Sequence, residues 1–289
     1  MESWKIFSIP TARGNRVLFR EGDFVMDHVP SKDGVLIAYE RRGEGPPLVL
    51  VHGTAADHSR WTPILSELER HFTVYAVDRR GRGQSGDAKP YSIDREFEDV
   101  VAVVDSIQGP VNILGHSYGA LCSLEASLRM SNLRKLILYE PPIHIGVEER
   151  YPPDAIDRMN ACLQSGEREK ALLIFLQEIA GIPKNEMNML RSLPSWSSRV
   201  ATAHTIAREE ASVCSYIFEP QRFSRMSAPT LLLLGGDSPP FYRIAIETLR
   251  KSIPNSRIAV VPEQRHAAME TAPDLFLGEV IRFLTEEKE

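Results

Sequence analysis

A chain of 289 residues with 43% hydrophobic and 25% charged side chains has the make-up of an ordinary globular protein, which excludes a disordered or fibrous one. Its formal net charge of -5, with both signs interspersed, offers no basic stripe to neutralise phosphates, so nucleic acid is not an expected partner. Cys122, Cys162 and Cys214 stand at wide spacings that fit neither a disulfide framework nor a zinc site, and are read as small buried hydrophobes.

The start, Met1-Glu2-Ser3-Trp4-Lys5, lacks a positive cluster followed by an apolar segment, and no apolar run reaches membrane-spanning length. A cytoplasmic, membrane-free protein is expected. The first strand candidates, around Phe24 to Val29 and Val35 to Glu40, flank the turn formers Ser31-Lys32-Asp33-Gly34 and predict an antiparallel hairpin. Short, almost wholly apolar runs follow: Pro47 to His52, Phe72 to Asp78, Pro110 to Gly115, Leu136 to Glu140, Thr230 to Gly235 and Ile258 to Val261. Such runs suit strands buried on both faces of a mostly parallel sheet. Between them lie helical patterns that predict crossover helices, Trp61 to Arg70 with Trp61, Ile64, Leu65 and Leu68 on one face, and Ile93 to Ile107 with Phe97, Val100, Val101, Val104 and Ile107.

The alternation stops from Pro141 to Met226. Helix-like pieces there, including Ala155 to Leu163, Glu167 to Ile179 and Arg199 to Tyr216, are broken by Gly181, Pro183 and Pro194. The expected organisation is therefore a core domain of residues 1–140 and 227–289, with a helical insertion of residues 141–226 between two core strands. A structureless loop of that length would be improbable in a compact domain.

Three segments carry chemistry. Gly115-His116-Ser117-Tyr118-Gly119 follows one apolar run and opens a helical segment, a GxSxG in which only glycines fit the sharp turn that exposes the serine. His52-Gly53-Thr54 ends the run Pro47 to Val51. Asp78-Arg79-Arg80-Gly81-Arg82-Gly83-Gln84-Ser85 follows the next; its spacing fits neither the dinucleotide fingerprint nor the P-loop, and it is read as structural.

With these segments in this order the chain resembles the α/β-hydrolase family from about Gly34 to Leu284. The resemblance implies an α/β-hydrolase fold, a mostly parallel central sheet with helices on both faces, and the insertion as a helical cap over the substrate pocket. It implies Ser117 as nucleophile and a histidine after the last strand as base. His266 is the only histidine downstream of Ser117 in a strand-to-helix loop, and a neutral imidazole can take and return the serine proton. The acid is assigned to Asp237, although the family's GxxD pattern counted from Gly235 lands on Ser238. Glu140, where some members carry the acid, is the alternative. The backbone N–H groups of Thr54 and Tyr118 are the implied oxyanion hole.

No cofactor and no metal is expected, only a small-molecule substrate. Apolar residues of the insertion, among them Ile143, Ile145, Leu163, Phe175, Met187, Leu190, Leu193, Trp196 and Tyr216, could cover a hydrophobic group, and no arginine cluster announces an anionic substrate. The expected activity is hydrolysis of a carboxylic ester, lactone or thioester through an acyl-serine. The alternatives are carbon–carbon cleavage or acyl transfer with the same triad, and a non-catalytic ligand receptor.

Overall fold

The strands form because runs such as Leu48-Val49-Leu50-Val51 can bury both faces at once: Val49 and Val51 enter the hydrophobic cluster on one side of the sheet, Leu48 and Leu50 the cluster on the other. The computed structural model describes residues 6–10, 16–20, 26–146, 152–193 and 195–286. Phe24 and Val25 of the expected hairpin, the five residues at the start and Pro194 lie outside them. Strands β1 (Ile6–Pro10) and β2 (Arg16–Arg20) pair antiparallel as a separate ribbon. The main sheet comprises β3 (Asp27–Pro30), β4 (Leu36–Arg42), β5 (Pro47–Val51), β6 (Thr73–Val77), β7 (Val111–His116), β8 (Leu133–Tyr139), β9 (Thr230–Gly235) and β10 (Ser256–Val261). Its order is β10-β9-β8-β7-β5-β6-β4-β3, parallel from β10 to β6, with β4 antiparallel to β6 and β3 antiparallel to β4.

Helices α2 (Ile93–Asp105), α3 (Tyr118–Ser127) and α9 (Pro240–Ser252) cover one face through Val100, Leu121 and Ile246. On the other face α1 (Thr62–Leu68), the short α10 (Ala268–Thr271) and α11 (Pro273–Thr285) pack through Leu65, Met269 and Val280. The buried Lys135 of β8 donates to the carbonyls of Phe283, Leu284 and Glu286 at 2.7, 3.0 and 2.6 Å, satisfying the acceptors that the end of α11 leaves over. The chain crosses from β5 to β6 on one side and returns to β7 on the other. The carboxyl ends of β5 and β7 therefore bound the crevice where open α/β sheets bind ligands.

Between β8 and β9 the described residues form helices and connections: α4 (Ala155–Gln164), α5 (Arg168–Ile174) continuing as a π turn over Phe175–Ile179, α6 (Lys184–Ser192), α7 (Trp196–Thr202) and α8 (Ile206–Ser215). The single helix expected over Arg199 to Tyr216 is two, separated by a 3-10 turn at Ala203–Thr205. The insertion has its own small core, with Met159, Leu172, Leu176, Met187 and Ile206 packed on one another and on Ala55 of the loop after β5. Of the three cysteines only Cys122 is buried; Cys214 is exposed, since it falls on the outer side of α8. Among the described residues no helix is long and apolar enough to cross a membrane.

Charge fixes the insertion to the sheet edge. Arg79, buried in the loop after β6, donates to both oxygens of Glu96 at 2.9 Å, and the same guanidinium reaches Glu209 of α8. Arg82, also buried, donates to Glu209 and, at 2.7 Å, to the carbonyl of Arg80. Two cations and two carboxylates thus neutralise each other out of water. Burial works against ionisation of Glu96, yet Arg79 and Arg82 hold its carboxyl below the usual range. The loop's glycines serve this packing: a Cβ on Gly83 would lie 1.9 Å from Oδ2 of Asp78. Removing one partner of such a set strands the other charge in a low dielectric. Glu209→Gln should lower the free energy of unfolding by about 3–5 kcal/mol, read from urea denaturation; a loss under about 1 kcal/mol would show that the two arginines find other partners.

Candidate active site

β7 turns into α3 through Ser117, whose backbone stands at φ 54° and ψ -126°. That is a strained conformation for an L-residue, and such strain persists only where the surroundings impose it. They do. A Cβ on Gly115 would lie 2.6 Å from Cα of Ala120, and one on Gly119 would lie 2.3 Å from the carbonyl oxygen of Val51. The Ser117 N–H donates to the Tyr139 carbonyl at 2.8 Å, which pins the turn to β8.

The loop after β10 brings His266 to the same edge. Two aromatic side chains hold it there: His116 Nε2 donates to the His266 carbonyl at 2.8 Å, and the Tyr139 hydroxyl donates to the Arg265 carbonyl while accepting the Ala268 N–H at 3.2 Å. Burial drives the His116 pKa well below its ordinary value, so this ring is a neutral strut.

The carboxylate against His266 is Glu140. Its Oε2 accepts from Nδ1 at 2.6 Å, and its Oε1 accepts the Gly235 N–H at 2.7 Å. Glu140 is 0% exposed and sits at φ 47°, in the left-handed region that a β-strand end adopts only under constraint. The assignment of the acid to Asp237 does not survive this geometry. Asp237 lies in the exposed bend after β9, where its backbone N–H is tied to the Gln264 carbonyl at 2.9 Å, while Nδ1 is taken by Glu140. The physical reason is placement: position 237, two residues past Gly235, is exposed, whereas Glu140, the residue after β8, is buried against the histidine.

With Nδ1 donating to Glu140, Nε2 carries the lone pair. It faces the Tyr242 hydroxyl at 3.3 Å, and the Tyr242 ring stacks on the imidazole with centroids 4.6 Å apart. Among the described residues the ring makes no hydrogen bond to Ser117 Oγ, but both side chains line one cavity. Tyr242 was not singled out by the sequence, where an aromatic at the start of an amphipathic helix looks like core.

His52-Gly53-Thr54 closes the other side. A Cβ on Gly53 would lie 2.7 Å from Cβ of Ser117, so glycine alone lets this loop touch the serine. His52 is buried and neutral, its pKa far below the ordinary value; Nδ1 donates to the Gly53 carbonyl at 2.8 Å and Nε2 accepts the Arg79 N–H at 3.2 Å. Thr54 shares the cavity with Ser117. Tyr118 is the first residue of α3, where the N–H has no partner within the helix. The Tyr118 side chain points away into the ion network: its hydroxyl meets that of Tyr91 at 2.7 Å, and the Arg79 guanidinium lies 4.4 Å from its ring centroid.

The cavity encloses about 100 Å³, and its wall joins Ser117 and His266 to Phe175, Ile179, Ile182 and Leu190 of the insertion. Phe175 and Leu190, among the apolar residues singled out in sequence, reach it; Met187 is in the insertion's core, and Ile145 is exposed. Two arginines also line it, Arg60 from the turn before α1 and Arg199 from α7. Both donate to one oxygen of Glu270, at 2.9 and 3.2 Å. Sequence reading missed this pair because its members are far apart in the chain. Among the described residues no group of three or more His, Cys, Asp or Glu is arranged to hold a metal ion.

Residues 48–279 match the model of the alpha/beta hydrolase family. The solved structure of an alpha/beta hydrolase from Sphaerobacter thermophilus is 36% identical, with a TM-score of 0.81 over 90% of this chain and all of that one. Two characterised relatives span most of the chain. The (E)-2-((N-methylformamido)methylene)succinate hydrolase of Acinetobacter baylyi is 25% identical over 82% of this chain and 89% of its own length. The 2-(acetamidomethylene)succinate hydrolase of Mesorhizobium japonicum is 23% identical over 91% of this chain and 98% of its own.

The two carboxylates separate in a direct comparison. Glu140→Gln should lower kcat about 10³- to 10⁴-fold, the loss expected when the group behind a catalytic imidazole can no longer fix its tautomer. Asp237→Asn, an exposed change away from the ring, should stay within about twofold. Steady-state rates of the two variants on one ester decide the matter, and the reverse ranking would restore Asp237.

Proposed function

The chain belongs to the alpha/beta hydrolase family, and we propose on that footing that it is a serine hydrolase cleaving a carboxylic ester, lactone or thioester of a small substrate through an acyl-serine. Ser117 is the nucleophile, His266 the base and Glu140 the acid that orients it. The observation that carries this reading is the convergence of a strained serine and a carboxylate-paired histidine on one cavity.

The pairing sets the chemistry. Because Nδ1–H donates to Glu140, the lone pair lies on Nε2, which can act as a base toward the Ser117 hydroxyl. Oγ attacks the acyl carbon as its proton passes to Nε2. The resulting oxyanion is held by the Thr54 and Tyr118 N–H groups, which are aimed at charge present only in the transition state. The imidazolium returns the proton to the leaving oxygen or sulfur. A water molecule, deprotonated by Nε2, then attacks the acyl-serine, and the proton goes back to Oγ as the acid departs. The Tyr242 hydroxyl occupies Nε2 before substrate enters, and hydrogen bonds between nucleophile and base commonly tighten only when it does.

A second reading keeps the serine and changes the bond. The Acinetobacter and Mesorhizobium relatives are named as hydrolases of amidomethylene succinates, compounds whose acyl group is carried on nitrogen. The same constellation could serve that bond, or a carbon–carbon bond, since fold does not fix the leaving group. Product analysis on matched ester, amide and β-diketone substrates distinguishes them.

A fluorophosphonate should label the wild-type protein at Ser117, identified by peptide mapping, and Ser117→Ala should lose both the label and more than about 10⁴-fold of kcat. Labelling at another residue, or wild-type turnover by Ser117→Ala, would remove the serine mechanism.

A further inference from the structure

The cavity beside Ser117 is lined by two buried guanidiniums that share a single oxygen of Glu270. Arg60 and Arg199 are both more than nine-tenths buried, both line the cavity, and both converge on Oε1 of Glu270. The Nε of each is buried and has no hydrogen-bond partner. A guanidinium presents its donors as a planar fork that matches a carboxylate in bidentate fashion. Two forks sharing one oxygen leave the buried Nε–H of each without an acceptor. Burial, and then the neighbouring Arg60, draw the Arg199 pKa down to about 10, the mark of two cations crowded together out of water.

We propose that Arg60 and Arg199 form an anion-binding subsite of the reaction cavity, and that the substrate carries a free carboxylate in addition to the acyl group that Ser117 attacks. The remaining wall tells what joins the two ends. Phe175, Ile179, Ile182 and Leu190 are apolar, so the segment between carboxylate and reacting carbonyl is hydrocarbon. A volume of about 100 Å³ is roughly three times the ~30 Å³ that one water occupies in the liquid, which limits the acid portion to a short skeleton. Glu270 keeps the two forks in place and yields part of their bonding to an incoming carboxylate. Glu210 also lines the cavity.

The identity of the bond cut rests on the serine-hydrolase reading, whereas the bound ion does not, and the test keeps them apart. Succinate is the probe for the ion. Calorimetric titration should show it binding the wild-type protein at moderate ionic strength, with binding weakened at least tenfold in Arg199→Gln and in Arg60→Gln. For turnover, monomethyl succinate is compared with methyl 4-methylpentanoate, in which an isopropyl group replaces the carboxylate. The wild type should favour the monoanion at least tenfold in kcat/KM, chiefly through KM. Either variant should bring the ratio of the two substrates toward one, whereas a merely structural arginine would lower both rates and leave the ratio unchanged. Wild-type protein that neither binds succinate nor prefers the monoanion overturns the proposal, even if a variant fails to fold. Failure of the fluorophosphonate to label Ser117, with succinate still bound, would strike the serine mechanism and leave the subsite standing.

Discussion

A carboxylate with no water around it must be hydrogen-bonded by the protein, and the way Glu140 meets that demand organises the catalytic edge. One oxygen takes the Gly235 N–H and the other takes Nδ1 of His266, so a single side chain ties the ends of β8 and β9 to the loop after β10. The left-handed backbone at Glu140 is the cost of aiming it there, about 1–3 kcal/mol for a residue held in such a region. That strain is compatible with a stable fold because the surroundings are over-determined. His116 and Tyr139, the last residues of β7 and β8, hold the same loop from below through its carbonyls. The histidine is therefore positioned by three strands at once, and its tautomer follows from the carboxylate rather than from solvent.

The opposite side of Ser117 is fixed by a different kind of contact. The Tyr118 side chain leaves the site and joins Tyr91, Arg79, Glu96 and, through them, Glu209. The backbone of Tyr118 thus follows Ser117 directly at the start of α3 while its ring is locked into a neutralised ion cluster. Buried ion pairs give little net stability, since desolvation offsets their attraction. Their value here is geometric, because a set of two cations and two anions has one arrangement in which no charge is left alone.

The sheet was legible from sequence because its strands are buried on both faces and so read as uninterrupted apolar runs; all six of the runs proposed for the parallel part are strands. The strand-to-helix turn at Ser117 was legible because close backbone approach leaves only glycine at positions 115 and 119. The acid was not. Both Asp237 and Glu140 follow strands, and nothing local distinguishes a carboxylate that ends in solvent from one that ends in the interior. A signal existed in Glu140-Pro141-Pro142, since a charged residue closing an apolar strand before two prolines must either be solvated or be paired. Tyr242 and the pairing of Arg60 with Arg199 carried no signal at all, because they are contacts between segments far apart in the chain.

That last pairing bears on what the insertion is for. It reaches the sheet edge with charges of both signs, Glu209 entering the Arg79 and Arg82 side and Arg199 joining Glu270 on the other. Arg208 adds a 2.7 Å pair with Asp87, and Ser198 donates to Asp57. A lid that swings freely would need contacts that are cheap to break, such as rim-exposed pairs worth a fraction of a kcal/mol. Those of Glu209 and Arg199 are buried and keyed by sign, so separating the insertion from the core would expose unpaired charge on both surfaces. The insertion is thus a fixed wall on its charged sides. The apolar contact over the cavity comes from the stretch in which α5 relaxes into the π turn at Phe175–Ile179, the irregularity that carries Phe175 and Ile179 to the cavity wall. Specificity for the apolar part of a substrate belongs to that turn, while specificity for charge is built into the same contacts that dock the insertion.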